Sequence, residues 1–190
     1  MFSGSCPIEV LVGEPATAFH VLEQLLKNAS PQFEQALDDT KGTLVLADTT
    51  VDTFRIFLGW HLKRTILEYD QASTADAWIF AAKYQMPKLQ NAVMRKLFEI
   101  LSEDLIEPDA VVVAYQIGDL GEKLQETFAA HIAGDMVEDP RCSWGDDTVE
   151  KLKVNHDFMK DLVLVLKAAS RGHKSYIDGG DLTDSLVEET

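Results

Sequence analysis

The arrangement of apolar residues predicts an α+β domain that is mostly helical, and three observations lead there. Three apolar runs of strand length lie before residue 50. Elsewhere, apolar residues recur at the three- and four-residue spacing of a helix with a buried face. The third observation is the stretch Ala81-Ala82-Lys83-Tyr84-Gln85-Met86-Pro87-Lys88-Leu89-Gln90-Asn91-Ala92-Val93. It predicts one helix ending at Met86 and another with Pro87 in its first turn. Proline suits that position because its N–H would have no intrahelical partner, and it pushes the preceding residue out of helical geometry. Apolar residues on both helices exceed a single stripe, so the pair is expected inside a packed domain.

The elements follow in order. Ile8 to Val12 reads as a strand closed by the turn Gly13-Glu14-Pro15, and Ala16 to Val21 as its hairpin partner. From Leu22 the period becomes helical through Leu25, Leu26 and Ala29. Ser30-Pro31 ends that helix and starts the next, with Ser30 as cap, Pro31 in the first turn, and Phe33 and Leu37 on the buried side. A polar loop from Asp38 to Gly42 precedes a third strand, Thr43 to Ala47. Thr49-Thr50 caps a helix in which Phe54, Phe57, Leu58, His61 and Leu62 share a face. After a loop from Glu68 to Ser73, Thr74 opens the helix that carries Trp78, Ala81, Ala82 and Tyr84. Beyond Pro87, Leu89, Val93, Leu97 and Ile100 line one side, with Met94, Phe98 and Leu101 beside them.

Pro108 marks a boundary between residues 1–107 and an appended helical layer at 108–170. Val111 to Ile117 is read as a helix despite the strand propensity of Val111-Val112-Val113. Leu124, Phe128 and Ile132 define a second helix, and Glu138 to Asp147 a loop. Asn155 caps a last helix with Phe158, Leu162, Val165 and Leu166 toward the core. The glycine-containing, acid-rich residues 171–190 are expected to be a disordered tail.

Composition narrows function. A net charge of −15 over 190 residues repels phosphates and anionic lipid surfaces, so neither nucleic acid nor membrane is an expected partner. No run reaches the roughly 18 apolar residues of a membrane span, and Met1 to Pro7 lacks the features of a secretory signal. Cys6 and Cys142 are far apart and make no disulfide framework, so an intracellular setting, cytoplasmic or nuclear, is expected. His20, His61, His131, His156 and His173 are scattered without ligand spacing, and no cofactor or metal is expected. No nucleophile elbow or phosphate-cradling glycine loop occurs, and the paired acids Asp38-Asp39, Glu103-Asp104 and Asp146-Asp147 fall in loops. An enzyme is not expected. Of the tryptophans, Trp60 and Trp78 belong to core-facing helices, whereas Trp144 sits in an acidic loop as a surface anchor.

Four stretches together resemble a BTB/POZ domain, of the fungal type with a helical C-terminal extension. They are Ile8 to Gly13, Leu25-Leu26 with Ser30-Pro31-Gln32-Phe33, Thr53-Phe54 with Phe57-Leu58-Gly59-Trp60, and Ala82 to Leu89. Asn155 to Leu162 is similar to the closing helix of the fungal proteins, so the resemblance spans roughly residues 8 to 168. It implies a small mixed β-sheet packed against helical hairpins, followed by an appended helical layer. The function it implies is a non-catalytic protein–protein interaction module, assembling with a second copy as a homodimer, with a cullin scaffold, or with a client protein. The alternative is a substrate adaptor for a cullin-type ubiquitin ligase. Cys6, Leu22 and Glu23 stand where the family commonly has Asp, His and Lys, which removes the charged pair of its intertwined dimer. Leu37-Asp38-Asp39 approximates the hydrophobic-x-Glu motif of cullin adaptors with a shorter acid. The candidate partner-binding residues are therefore Phe33, Leu37, Asp38, Asp39 and Trp144.

Overall fold

The computed structural model describes residues 6–38, 42–116, 118–138, 150–152, 155–170 and 185–189. A three-stranded mixed sheet is built from β1 (Pro7–Val12), β2 (Thr17–Leu22) and β3 (Thr43–Leu46), in the order β2-β1-β3. β1 pairs antiparallel with β2, Val10 opposite Phe19, and parallel with β3, Val10 opposite Leu44. Ile8, Val10 and Val12 alternate into the core, as a sheet with one packed face requires. Gly13 makes the hairpin possible: its φ of +78° is a left-handed conformation, and its N–H donates to the Leu46 carbonyl at 3.0 Å.

The helices are α1 (Glu23–Ala29), α2 (Pro31–Asp38), α3 (Val51–Lys63), α4 (Gln71–Lys83), α5 (Pro87–Glu103), α6 (Pro108–Tyr115), α7 (Glu122–Glu138) and α8 (His156–Ser170), with a 3₁₀ turn at Gly118–Gly121. α4 is central and packs against α3, α5 and α6. Its alanines let neighbouring backbones approach closely, and Ala75, Ala77, Trp78, Phe80 and Ala81 are all buried. One hydrophobic core runs from the sheet through α3, α4 and α5 to Val111, Phe128 and Phe158.

Two hinges fix the outer elements on this core. At the first, Ser30 caps α2 by accepting the Gln32 N–H at 3.0 Å, while its own hydroxyl donates to the Tyr84 carbonyl. Phe33 stacks on the Tyr84 ring with centroids 4.3 Å apart. At the second, Gln71 donates to the Leu105 carbonyl and accepts the Glu107 N–H, both at 2.8 Å. That one buried amide fastens the connection from α5 to α6 onto the start of α4. Further out, the Tyr115 hydroxyl donates to Asp161 at 3.0 Å and its ring meets Phe158 edge-on, tying α6 to α8. Asn155 caps α8 by accepting the Phe158 N–H at 3.0 Å.

Several boundaries differ from the expectation, each for a local reason. α4 opens at Gln71 rather than Thr74, because Asp70 is the cap and accepts the Ser73 N–H at 2.7 Å. It closes at Lys83 rather than Met86. Gln85 adopts φ +53°, and the Met86 and Gln85 amides turn back to the Ala81 and Ala82 carbonyls at 2.8 and 3.0 Å. This double turn-back satisfies carbonyls that the helix end would leave bare. Leu62, expected on the buried face of α3, is 65% exposed. Residues 185–189 were expected in a disordered tail; instead Ser185 is buried and Leu186 and Val187 pack against the core.

These hinges have a measurable weight. Ser30→Ala removes a cap and strands a carbonyl in the interior, so unfolding in urea is expected at a free energy about 2 kcal/mol lower. Gln85→Gly relieves a left-handed residue and is expected to raise the same quantity by about 1 kcal/mol.

Candidate protein-interaction surface

The residues expected to meet a partner do not converge. Phe33 is 0% exposed and lies among Phe57, Phe80 and Tyr84, so it builds the core rather than a surface. Leu37 is buried as well. Their positions on the inner stripe of α2 turn both away from solvent. Asp38 is exposed and pairs with Lys27 at 3.1 Å, while Lys27 also pairs with Glu23 at 3.0 Å. With Leu37 inside, the Leu37-Asp38-Asp39 sequence offers no apolar side chain at that surface. Asp39 and Trp144 lie outside the described residues. At the positions where the resemblance implied a charged pair, Cys6 is exposed and Leu22 half-buried, and Glu23 is engaged within its own helix.

What the fold assembles instead is a cleft of about 540 Å³ where the C-terminal end of α3, the α4–α5 turn and α1 meet. Leu25, Met86 and Leu89 are the buried part of its lining, and Trp60 and His61 are half-buried along it. Leu62, Arg64, Gln85 and Lys88 are exposed at its rim. Arg64 ends α3 in a left-handed conformation, φ +56°, which turns the chain and lays its guanidinium 4.3 Å from the Trp60 ring. Leu62, one residue before the last of α3, is exposed at the same rim. The double turn-back at Gln85 and Met86 gives the opposite wall its shape.

The electrostatics of this cleft run against those of the chain. The protein has 32 acidic and 17 basic residues, yet among the described residues lining the cleft the charged side chains are Arg64 and Lys88. His61 adds no charge at neutral pH. Burial lowers its pKa, and its Nδ1 holds the Phe57 carbonyl at 3.0 Å. The result is an apolar trough with a cationic edge, a combination in which tryptophan, arginine and leucine supply anchoring contact.

Trp60 lies on a core-facing helix as the sequence indicates, half-buried against the core, and it also borders the cleft. Arg64 four residues on was an available signal, since residues at that spacing lie on one side of a helix. Trp78, by contrast, is buried as expected, and its indole N–H finds no acceptor among the described residues. No group of three or more His, Cys, Asp or Glu able to hold a metal ion occurs among the described residues, and no described helix is long and apolar enough to cross a membrane. No protein-family model matches the chain, and no curated protein matches it significantly.

Two half-buried histidines set a pH dependence. Burial lowers the pKa of His61 and of His131, whose Nε2 has no hydrogen-bond partner among the described residues. The unfolded chain, with an ordinary value of 6.5, takes up protons before the folded one. Stability is therefore full above that value and declines as pH falls through it. Urea midpoints measured from pH 7.5 to pH 5 are expected to drop, and His131→Phe to shallow the slope.

Proposed function

We propose that this chain is a non-catalytic protein-interaction module of the BTB/POZ type that grips a second protein in the cleft between α3, the α4–α5 turn and α1. The reading is supported by the resemblance of the element order and its residues to that family. The observation that carries it is the inversion of charge at the cleft: an apolar floor whose charged edge is cationic, on a chain of net charge −15. Such a surface fits a helix or extended segment whose apolar anchors are flanked by Asp or Glu. The flanking carboxylates steer the encounter toward Arg64 and Lys88, and the anchors supply the affinity once Leu62 and Trp60 are covered.

A second copy of the chain is a poor occupant. Two bodies of charge −15 repel at range, and Glu23 is satisfied by Lys27 inside one chain rather than across a pair. Light scattering at micromolar concentration is expected to report a mass near 21.1 kDa.

Affinity capture from the native cell tests the cleft. The wild-type chain is expected to retain a partner whose yield falls at least tenfold with Arg64→Glu plus Lys88→Glu, and with Leu62→Asp. Retention should also weaken with added salt, because exposed charges are screened. Equal partner yield from all variants would remove the cleft from the function; no specific partner under any condition would remove the module.

A further inference from the structure

Away from the cleft, α5 and α7 cross where Phe98 meets His131 edge-on, with ring centroids 5.2 Å apart. Toward the N-terminal ends of both helices a five-residue segment, Ser185 to Glu189, lies between them. It is held by side chains reaching for its backbone. Asn91 is 3% exposed, and its amide uses both ends on one residue: Nδ2 donates to the Val187 carbonyl at 2.9 Å and Oδ1 accepts the Val187 N–H at 2.8 Å. That reciprocal pair reproduces what a neighbouring β-strand would offer. Nδ2 also donates to the Glu189 carboxylate at 3.0 Å. From α7, Lys123 Nζ donates to the Leu186 carbonyl at 2.6 Å, and Thr127 shares a hydrogen bond of 3.0 Å with the Ser185 hydroxyl. Leu186 and Val187 pack on the core.

We propose that this groove is a receptor for a peptide segment with the pattern hydroxyl, aliphatic, aliphatic, any residue, acid, and that Ser185–Glu189 fills it in cis. The inference rests on the reading of the chain as an interaction module and gives it a second, separate docking site. The recognition is backbone-directed, so it transfers to any segment of that pattern, as in strand addition to a sheet edge. Asn91 is a buried polar group whose amide bonds all go to this segment, which makes an empty groove costly; Thr127 also donates to the Lys123 carbonyl at 2.7 Å, so it stays paired in either state. The incoming peptide belongs to another protein rather than a second copy, since two copies at −15 repel. Tethering gives the cis segment an effective concentration on the order of millimolar, so the outside peptide gains the site when the cis segment is released or outcompeted.

The test uses the full chain and a fluorescein-labelled peptide of residues 184–190. Val187→Pro deletes the amide that Asn91 accepts and leaves the helical body untouched. This variant is expected to bind the peptide at least tenfold more tightly than wild type, and Asn91→Ala added to it to abolish the gain. In the wild-type chain, millimolar unlabelled peptide should speed hydrogen exchange at the Val187 amide, a readout independent of any variant. Peptide binding no tighter to Val187→Pro than to wild type, binding indifferent to Asn91→Ala, or unchanged exchange would overturn the proposal. So would a mass of two chains in light scattering of the wild type, which would mark exchange of the segment between copies. Partner capture through the α3 cleft together with any of these negative peptide results would leave the module standing while the groove fails.

Discussion

The bond on which most of this architecture depends is the one from the Ser30 hydroxyl to the Tyr84 carbonyl. It joins two places where the chain reverses: the break between α1 and α2, and the break between α4 and α5. Both need a polar group satisfied in an apolar setting, and each supplies what the other lacks. Phe33 stacked on Tyr84 excludes water from the joint, and the left-handed Gln85 directs the chain into Pro87. The Ser30 bond adds direction to apolar contact, which by itself fixes burial but not angle; the Thr53 hydroxyl does the same between α3 and α4, donating to Asp76 at 2.6 Å. With the Ser30 bond, the walls of the α3 cleft acquire a fixed shape, since Gln85, Met86 and Pro87 line that cleft.

The same device recurs. Gln71 fastens the α5–α6 connection, Tyr115 fastens α8, and Asn91 fastens the segment at 185–189, each by a buried or half-buried polar side chain serving distant groups. Buried amides and hydroxyls of this kind contribute modestly when paired and cost heavily when one partner leaves, so they specify position more than they add stability. Surface ion pairs play a smaller part. Lys27 with Glu23, and Lys151 with Asp109, stand in solvent, where such pairs contribute little.

Much of the fold was legible because periodicity and punctuation are local. The hairpin of β1 and β2, the Ser30-Pro31 junction, the Asn155 cap and the buried series Leu124, Phe128 and Ile132 all lie where the sequence puts them. The site was far less legible. Helical spacing puts Phe33 and Leu37 on the buried side of α2, where they lie, whereas the motif resemblance that offers them to a partner says nothing about which side of a short helix is covered. Leu62 falls on the predicted core stripe of α3 yet is exposed, because helical spacing counts apolar residues without registering what covers them. The segment at 185–189 has the acidic composition of an unfolded stretch, and nothing near it in sequence reveals Asn91 and Lys123, its partners.

Amino-acid order alone determined the helix and strand content, the break at Pro87 and the acidic surface, since propensity, capping and charge act within a few residues of themselves. Tertiary structure decided which apolar side chains stayed in water, where the cations Arg64 and Lys88 would stand together, and what the buried amide of Asn91 would hold. Those outcomes depend on pairs of groups remote along the chain, and a group's surroundings exist only once the backbone has been folded around it.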